Sequence, residues 1–209
     1  MTSMGRILAL DVSTSCTGVC IYDEEAHAPD PGTRMDELDH HVRWLDRIEF
    51  KGCKTFWDKV DRVETYLRDL EASHHINRVA LEEPLMGFRP GMSSAQTISQ
   101  LLRFNGIVSN LARKQFGAVP EYISANHARK VAGVKLQRTA AAGMSQKEQV
   151  FKHMSEGPLK GFAWPTKKDG SPVDWSRDAT DAYVIAYAAS HDGAPAEEAP
   201  KKSKKAAAV

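Results

Sequence analysis

The chain has 209 residues, 42% hydrophobic and 26% charged, with a formal net charge of +1. That composition supplies enough apolar material for one domain with a core, and it excludes wholly disordered and fibrous classes. Three cysteines make no disulfide framework, and Cys16 and Cys20 lack the second half of a zinc site.

In chain order, residues 6–22 carry an apolar run, Ile7 to Leu10, that ends on Asp11. A turn rich in small and hydroxyl residues follows (Ser13, Thr14, Ser15, Thr17, Gly18), then a second β-prone run, Val19 to Tyr22. Two buried strands joined by a tight turn are predicted. A carboxylate ending a strand of core residues either caps the turn or binds something positive, because burying it alone is costly. Residues 23–39 are acidic and hold Pro and Gly, an exposed loop. Across 42–50, Val42, Trp44, Ile48 and Phe50 share one parity, which predicts a third strand with one wet face and an antiparallel meander.

Phe56, Val60, Val63, Leu67 and Leu70 recur at helical spacing, an amphipathic helix laid on the sheet. The run at 78–82 again ends on a carboxylate, Glu82, before Pro84. After a Gly/Pro/Ser loop at 87–94, a long helix runs through Ile98, Leu102, Val108 and Ala112. Residues 121–123 are a short strand, 127–132 a short helix, and Lys135 and Arg138 lie in a basic loop. Ser145 and Glu148 have capping-box spacing, so a helix begins at Gln146. Residues 157–175 read as a loop, and Ser176 is placed to cap a last helix at 177–190. Residues 193–209, Ala/Pro/Glu and then four lysines, form a low-complexity tail expected to be disordered. Residues 1–192 form the folded domain. Strands followed by strand–helix alternation predict an α/β fold: a mixed five-stranded sheet, three antiparallel strands and then parallel ones, with helices on both faces.

Charge is unevenly spread. Residues 1–100 hold 11 Lys/Arg against 17 Asp/Glu, whereas residues 103–168 hold 12 basic residues and three acids. Such a block is either a solvated surface or the footprint of a polyanion. In the last helix, Asp178 and Asp181 stand three apart on one face, a repulsive pair unless they share a cation. If their strands are parallel neighbours, Asp11 and Glu82 come together, and the helix bearing Asp178 and Asp181 can pack beside them. Four hard oxygen ligands without a Cys/His cluster suit Mg²⁺ or Mn²⁺. Two such ions about 4 Å apart suit phosphodiester hydrolysis.

The segments RILALDVSTSCTGVCIYD, RVALEE, EYISANHARKVAG, SQKEQVFKHM and DATDAYVIAYA stand in the order and approximate spacing of the RuvC family. In these segments the chain resembles those Holliday-junction resolvases of the RNase H-like superfamily over residues 6–190. The resemblance implies an RNase H-like fold and a homodimer acting on branched DNA, with Mg²⁺ or Mn²⁺, two ions per active site, driving hydrolysis. By position it implies that Asp11, Glu82, Asp178 and Asp181 bind metal, and that Lys147 lies near the scissile phosphate. Glu83 competes with Glu82, since successive strand side chains face opposite ways; the resemblance picks Glu82. Basic candidates for DNA contact are Arg129, Lys130, Lys135, Arg138 and Lys152 besides Lys147.

Where the family places a wedging aromatic, this chain has Pro84, Leu85 and Met86, with Phe88 slightly later, either a replacement wedge or a core side chain. The acidic loop, the 157–175 segment and the lysine tail are departures that suggest a phage-type or divergent member. Trp164 and Trp175 either stack on unpaired bases or cover the core, and the His40/His41 and His74/His75 pairs read as surface residues. With no secretory signal and no apolar run able to span a bilayer, the expected location is the cytoplasm of a bacterial or phage-infected cell, without membrane contact. Two rivals keep the fold: a branched-DNA-binding protein that does not cut, and an actin- or sugar-kinase-like ATPase, whose first strands also end in Asp and a hydroxyl-rich turn.

Overall fold

The alternation of side chains along the first strand sets the architecture. In the computed structural model, which describes residues 5–25, 39–84 and 94–192, β1 (Arg6–Asp11) turns Leu8 and Leu10 to one layer and Ile7 and Ala9 to the other. β2 (Cys16–Asp23) pairs antiparallel with β1 and with β3 (Val42–Glu49), giving the predicted meander. β4 (Arg78–Glu82) pairs parallel with β1, and β5 (Glu121–Ile123) pairs parallel with β4. The sheet order is β3-β2-β1-β4-β5.

Two long helices cover one face. α1 (Phe56–Ser73) buries Val60, Val63, Leu67 and Leu70, and a Thr55–Asp58 capping box fixes its start. α2 (Ala95–Phe116) buries Phe104, Val108 and Ala112, is capped by Ser94, and ends on the left-handed Gly117. Leu8, Leu10, Val19, Ile21, Val79 and Leu81 of the sheet meet these helices. The other face carries α3 (Ala125–Val131), α5 (Gln146–Glu156) and α6 (Trp175–Asp192), and a single-turn α4 (Thr139–Ala142) precedes α5. Ala128, Val150 and Met154 join the alanines of α6 in that core.

Several expectations need correction. The alternation in β3 is not inside against outside: Leu45 and Ile48 are buried on opposite faces, and Trp44 is 42% exposed. A register shift at Ile21/Tyr22 turns Val42 toward the α6 layer, and Phe50 lies past the strand end. Ser176 does not cap the last helix. That helix begins at Trp175, and the Ser176 hydroxyl is buried inside it with no hydrogen-bond partner among the described residues. The short helix begins at Ala125 with Ser124 as its cap, and the basic loop holds the α4 turn. The Ser145 capping box is present as predicted. Phe88, most of the acidic loop and the lysine tail lie outside the described residues. No helix among the described residues is long and apolar enough to cross a membrane.

Candidate metal centre

The two-residue period that sends Ile7 and Ala9 toward α6 sends Asp11 the same way. On β4, Ala80 faces that layer, so Glu82 does too, whereas Glu83 is exposed beyond the strand. The parallel register pairs Leu10 with Leu81, which leaves Asp11 and Glu82 as the next rung at the carboxyl ends of adjacent strands. Asn105 of α2 donates from Nδ2 to the Glu82 carbonyl at 3.3 Å and steadies that strand end.

α6 brings the other two acids. Ala179, Ala182 and Ala186 are buried, so the helix lies close to the sheet. Asp178 sits in its first turn, where the helix dipole favours a carboxylate, and Asp181 follows one turn later. Asp11 and Asp181 are 4% and 5% exposed, an environment that penalises two bare anions.

Lys147, on the first turn of α5, balances them. Its Nζ donates to Asp11 Oδ2 at 3.0 Å and Asp178 Oδ1 at 2.7 Å, and lies 3.3 Å from Asp181 Oδ2. That last contact is an ion pair without hydrogen-bond direction, and the buried Asp181 Oδ2 has no other partner among the described residues. Arg129 Nη2 is 3.9 Å from the other oxygen of Asp181. A cavity of about 10 Å³ is bounded by Glu82, Arg129 and Asp181.

The electrostatics follow from crowding. Burial, and then the neighbouring Asp11 carboxylate, push Glu82 up to about 8. The same two causes push Asp181 up to about 6. Burial works against the charge on Lys147, but Asp11, Asp181 and Asp178 outweigh it and hold the ammonium well above its ordinary range. Cys16 is raised to about 12 by burial and then by the neighbouring Asp178 carboxylate. One lysine is thus shared among more negative charge than it can neutralise. An oxygen-only donor set with an orphaned buried carboxylate oxygen fits a hard divalent cation.

The structure therefore brings Asp11, Glu82, Asp178, Asp181 and Lys147 to one place, with Arg129 at its edge. Lys130 and Lys135 share with Arg129 a hollow of about 300 Å³. Arg138 and Lys152 are exposed. Trp164 and Trp175 are half-buried, packed on each other and on the α6 core. Sequence alone assigns no site role to Cys16, Gly18 or Asn105; only Gly18, which lies in β2 rather than in the predicted turn, carries a local signal.

His40 and His41 are half-buried rather than surface residues, and with Asp39 they bring ligand atoms within 4.8 Å of one another at the opposite end of β2 and β3. There His41 Nδ1–H donates to the Asp23 carbonyl at 2.6 Å, and the Tyr183 hydroxyl donates to Asp39 Oδ2 at 2.8 Å.

No protein-family model matches the sequence, and no curated protein matches it. Solved structures do. Thermus thermophilus RuvC in complex with Holliday junction substrate superposes with a TM-score of 0.57 at 11% identity, over 88% of this chain and 91% of that one. The chain has the RuvC fold. Another Thermus thermophilus RuvC structure gives a TM-score of 0.52 at 15% identity, over 88% and 92% of the two chains. The RuvC fold is RNase H-like, and the mixed five-stranded sheet with helices on both faces agrees with it.

Proposed function

We propose that this protein is a divalent-metal-dependent, structure-selective endodeoxyribonuclease that cuts Holliday junctions and other branched DNA as a homodimer. The observation that carries this reading is the convergence of Asp11, Glu82, Asp178 and Asp181, from β1, β4 and α6, around the single ammonium of Lys147. Asp11, Glu82, Asp178 and Asp181 would hold two Mg²⁺ or Mn²⁺ ions. When bound, such ions supply an activated water and charge stabilisation at the leaving oxygen.

The chain's own groups do the rest. Asp11 and Glu82 are fixed by strand register and the α6 pair by helix geometry, so the ligands are set on rigid elements. Lys147, a compact charge on a flexible stem, pairs with the scissile phosphate once the carboxylates no longer need it. Arg129 holds Asp181 and, with Lys130, Lys135, Arg138 and Lys152, draws the phosphate backbone toward the cluster.

One observation favours a second reading, an RNase H-like branched-DNA-binding protein that does not cut. Lys147 already contacts three of the acids without an ion. Labelled four-way junction, flap and duplex, each with and without Mg²⁺, separate the two. The nuclease reading predicts metal-dependent nicking of the branched substrates, lost in Asp11→Asn and Asp181→Asn while binding survives. Binding without cutting under any divalent metal would establish the second.

A further inference from the structure

A cleft of about 750 Å³ opens directly beside Asp178, on the β2–β3 side of the acid cluster and away from Arg129 and Lys130. Its walls come from four separate elements: the β1–β2 turn, the end of β3, the start of α1, and the 165–175 segment that leads into α6. We propose that this cleft is a binding subsite for the phosphodiester backbone of one DNA strand as it runs out from the reacting position. The inference rests on the nuclease reading above and assigns the 165–175 segment a role in it.

Charge is the first argument. Arg47, Lys51, Lys59 and Lys167 line the cleft against Glu49 and Asp174, apart from Asp178 at its inner end. Four cations around one cleft suit a polyanion chain, with Phe50, Val173 and Trp175 supplying the apolar part of its walls.

The second argument is that three of these cations are held in place. The Lys59 ammonium donates to the Thr14 carbonyl at 2.7 Å, which pins it to the turn after Asp11. Lys167 Nζ donates to Asp174 Oδ1 at 2.6 Å. The Arg47 guanidinium stacks 4.5 Å from the centre of the Trp175 ring, and its Nε–H has no acceptor among the described residues. Preorganised cations lose little freedom when a phosphate arrives.

The third argument is the form of the outer wall. Residues 165–173 make a small hairpin, with Thr166 bridged to Pro172, Lys167 N–H donating to Ser171 O at 2.7 Å, and Val173 N–H donating to Pro165 O at 3.0 Å. Gly170 turns it at φ +81°. The hairpin carries Lys167 to the cleft and feeds straight into Trp175 and the first turn of α6, so the same element that positions Asp178 shapes the cleft.

The test is the salt dependence of junction binding, measured on full-length protein carrying Asp181→Asn so that nothing is cut. Each phosphate contact contributes about 0.7–0.9 to the slope of log K against log salt. Adding Lys51→Ala, Lys59→Ala and Lys167→Ala is expected to flatten that slope by about 2. Because Lys59 also braces the β1–β2 turn, the Lys51→Ala/Lys167→Ala pair is measured alongside, and it must flatten the slope by more than about 1. Neutral methylphosphonates next to the scissile position on one strand are expected to flatten the slope with the parent and leave the triple variant unchanged. Equal slopes for parent and variants, or equal methylphosphonate effects in both, overturn the subsite. If the otherwise unmodified protein still nicks junctions with Mg²⁺, the nuclease reading stands without it; if that protein neither binds nor nicks, both fall.

Discussion

Gly18 pairs with Asp11 across the β1–β2 ladder, and its missing side chain is what lets α6 bring Asp178 to the site. A Cβ on Gly18 would lie 2.0 Å from the Asp178 carbonyl oxygen. Backbone cannot yield as a flexible side chain would, so the first turn of α6 must move. Gly18→Ala is predicted to cost about 1–3 kcal/mol in stability, a fall in Tm of about 2–4 °C per kcal/mol. Junction cutting should fall further than stability explains. Gly106→Ala, in the exposed interior of α2 where nothing lies within 4 Å, is the contrast: it should raise Tm slightly. Calorimetry and cutting rates on both variants check the pair.

Lys147→Met removes the ammonium that three carboxylates share. The metal-free protein should lose roughly 1–3 kcal/mol, less than for a fully buried pair because the lysine stem is part-exposed. Millimolar Mg²⁺ should then raise Tm more in the variant than in the parent, since no internal cation competes for the ligands. Thermal melts in EDTA and in Mg²⁺ read this directly, and equal metal shifts would contradict it.

Without metal, the site should make stability depend on pH. Glu82 and Asp181 are raised in the folded state, to about 8 and about 6, from 4.5 and 3.8. The folded chain therefore binds protons that the unfolded chain has already released, and stability falls as pH rises from about 4 to 8. Glu82→Gln should flatten the upper part of this window, above pH 6, and leave Tm a few degrees above the parent at pH 8. Melts at several pH values in EDTA test the sign; a parent whose stability rises toward pH 8 relative to the variant would refute it.

Local chemistry made much of this legible before the fold was known. Apolar runs ending on carboxylates marked β1 and β4; the two-residue period said only that one of Glu82 and Glu83 faces Asp11, and the family resemblance chose Glu82. The Ser145 box started α5 and so placed Lys147 in a first turn. Where the reading failed, longer-range packing had overruled a local preference. Ser176 resembled a cap, but Trp175 packs on the core and draws the helix start upstream of it. The register shift opposite Tyr22 and the two-sided burial of an edge strand defeated the simple alternation in β3. The cleft beside Asp178 draws on residues from four elements spread over more than 150 positions of the chain, from Thr14 to Asp178, and no short window of sequence contains it.

Anomalous scattering from crystals soaked in Mn²⁺ tests the central claim most directly. The account predicts manganese peaks among Asp11, Glu82, Asp178 and Asp181, with the Lys147 ammonium displaced from the carboxylates it now contacts. Peaks confined to Asp39, His40 and His41, or an acid cluster still closed around Lys147 at saturating Mn²⁺, would contradict it.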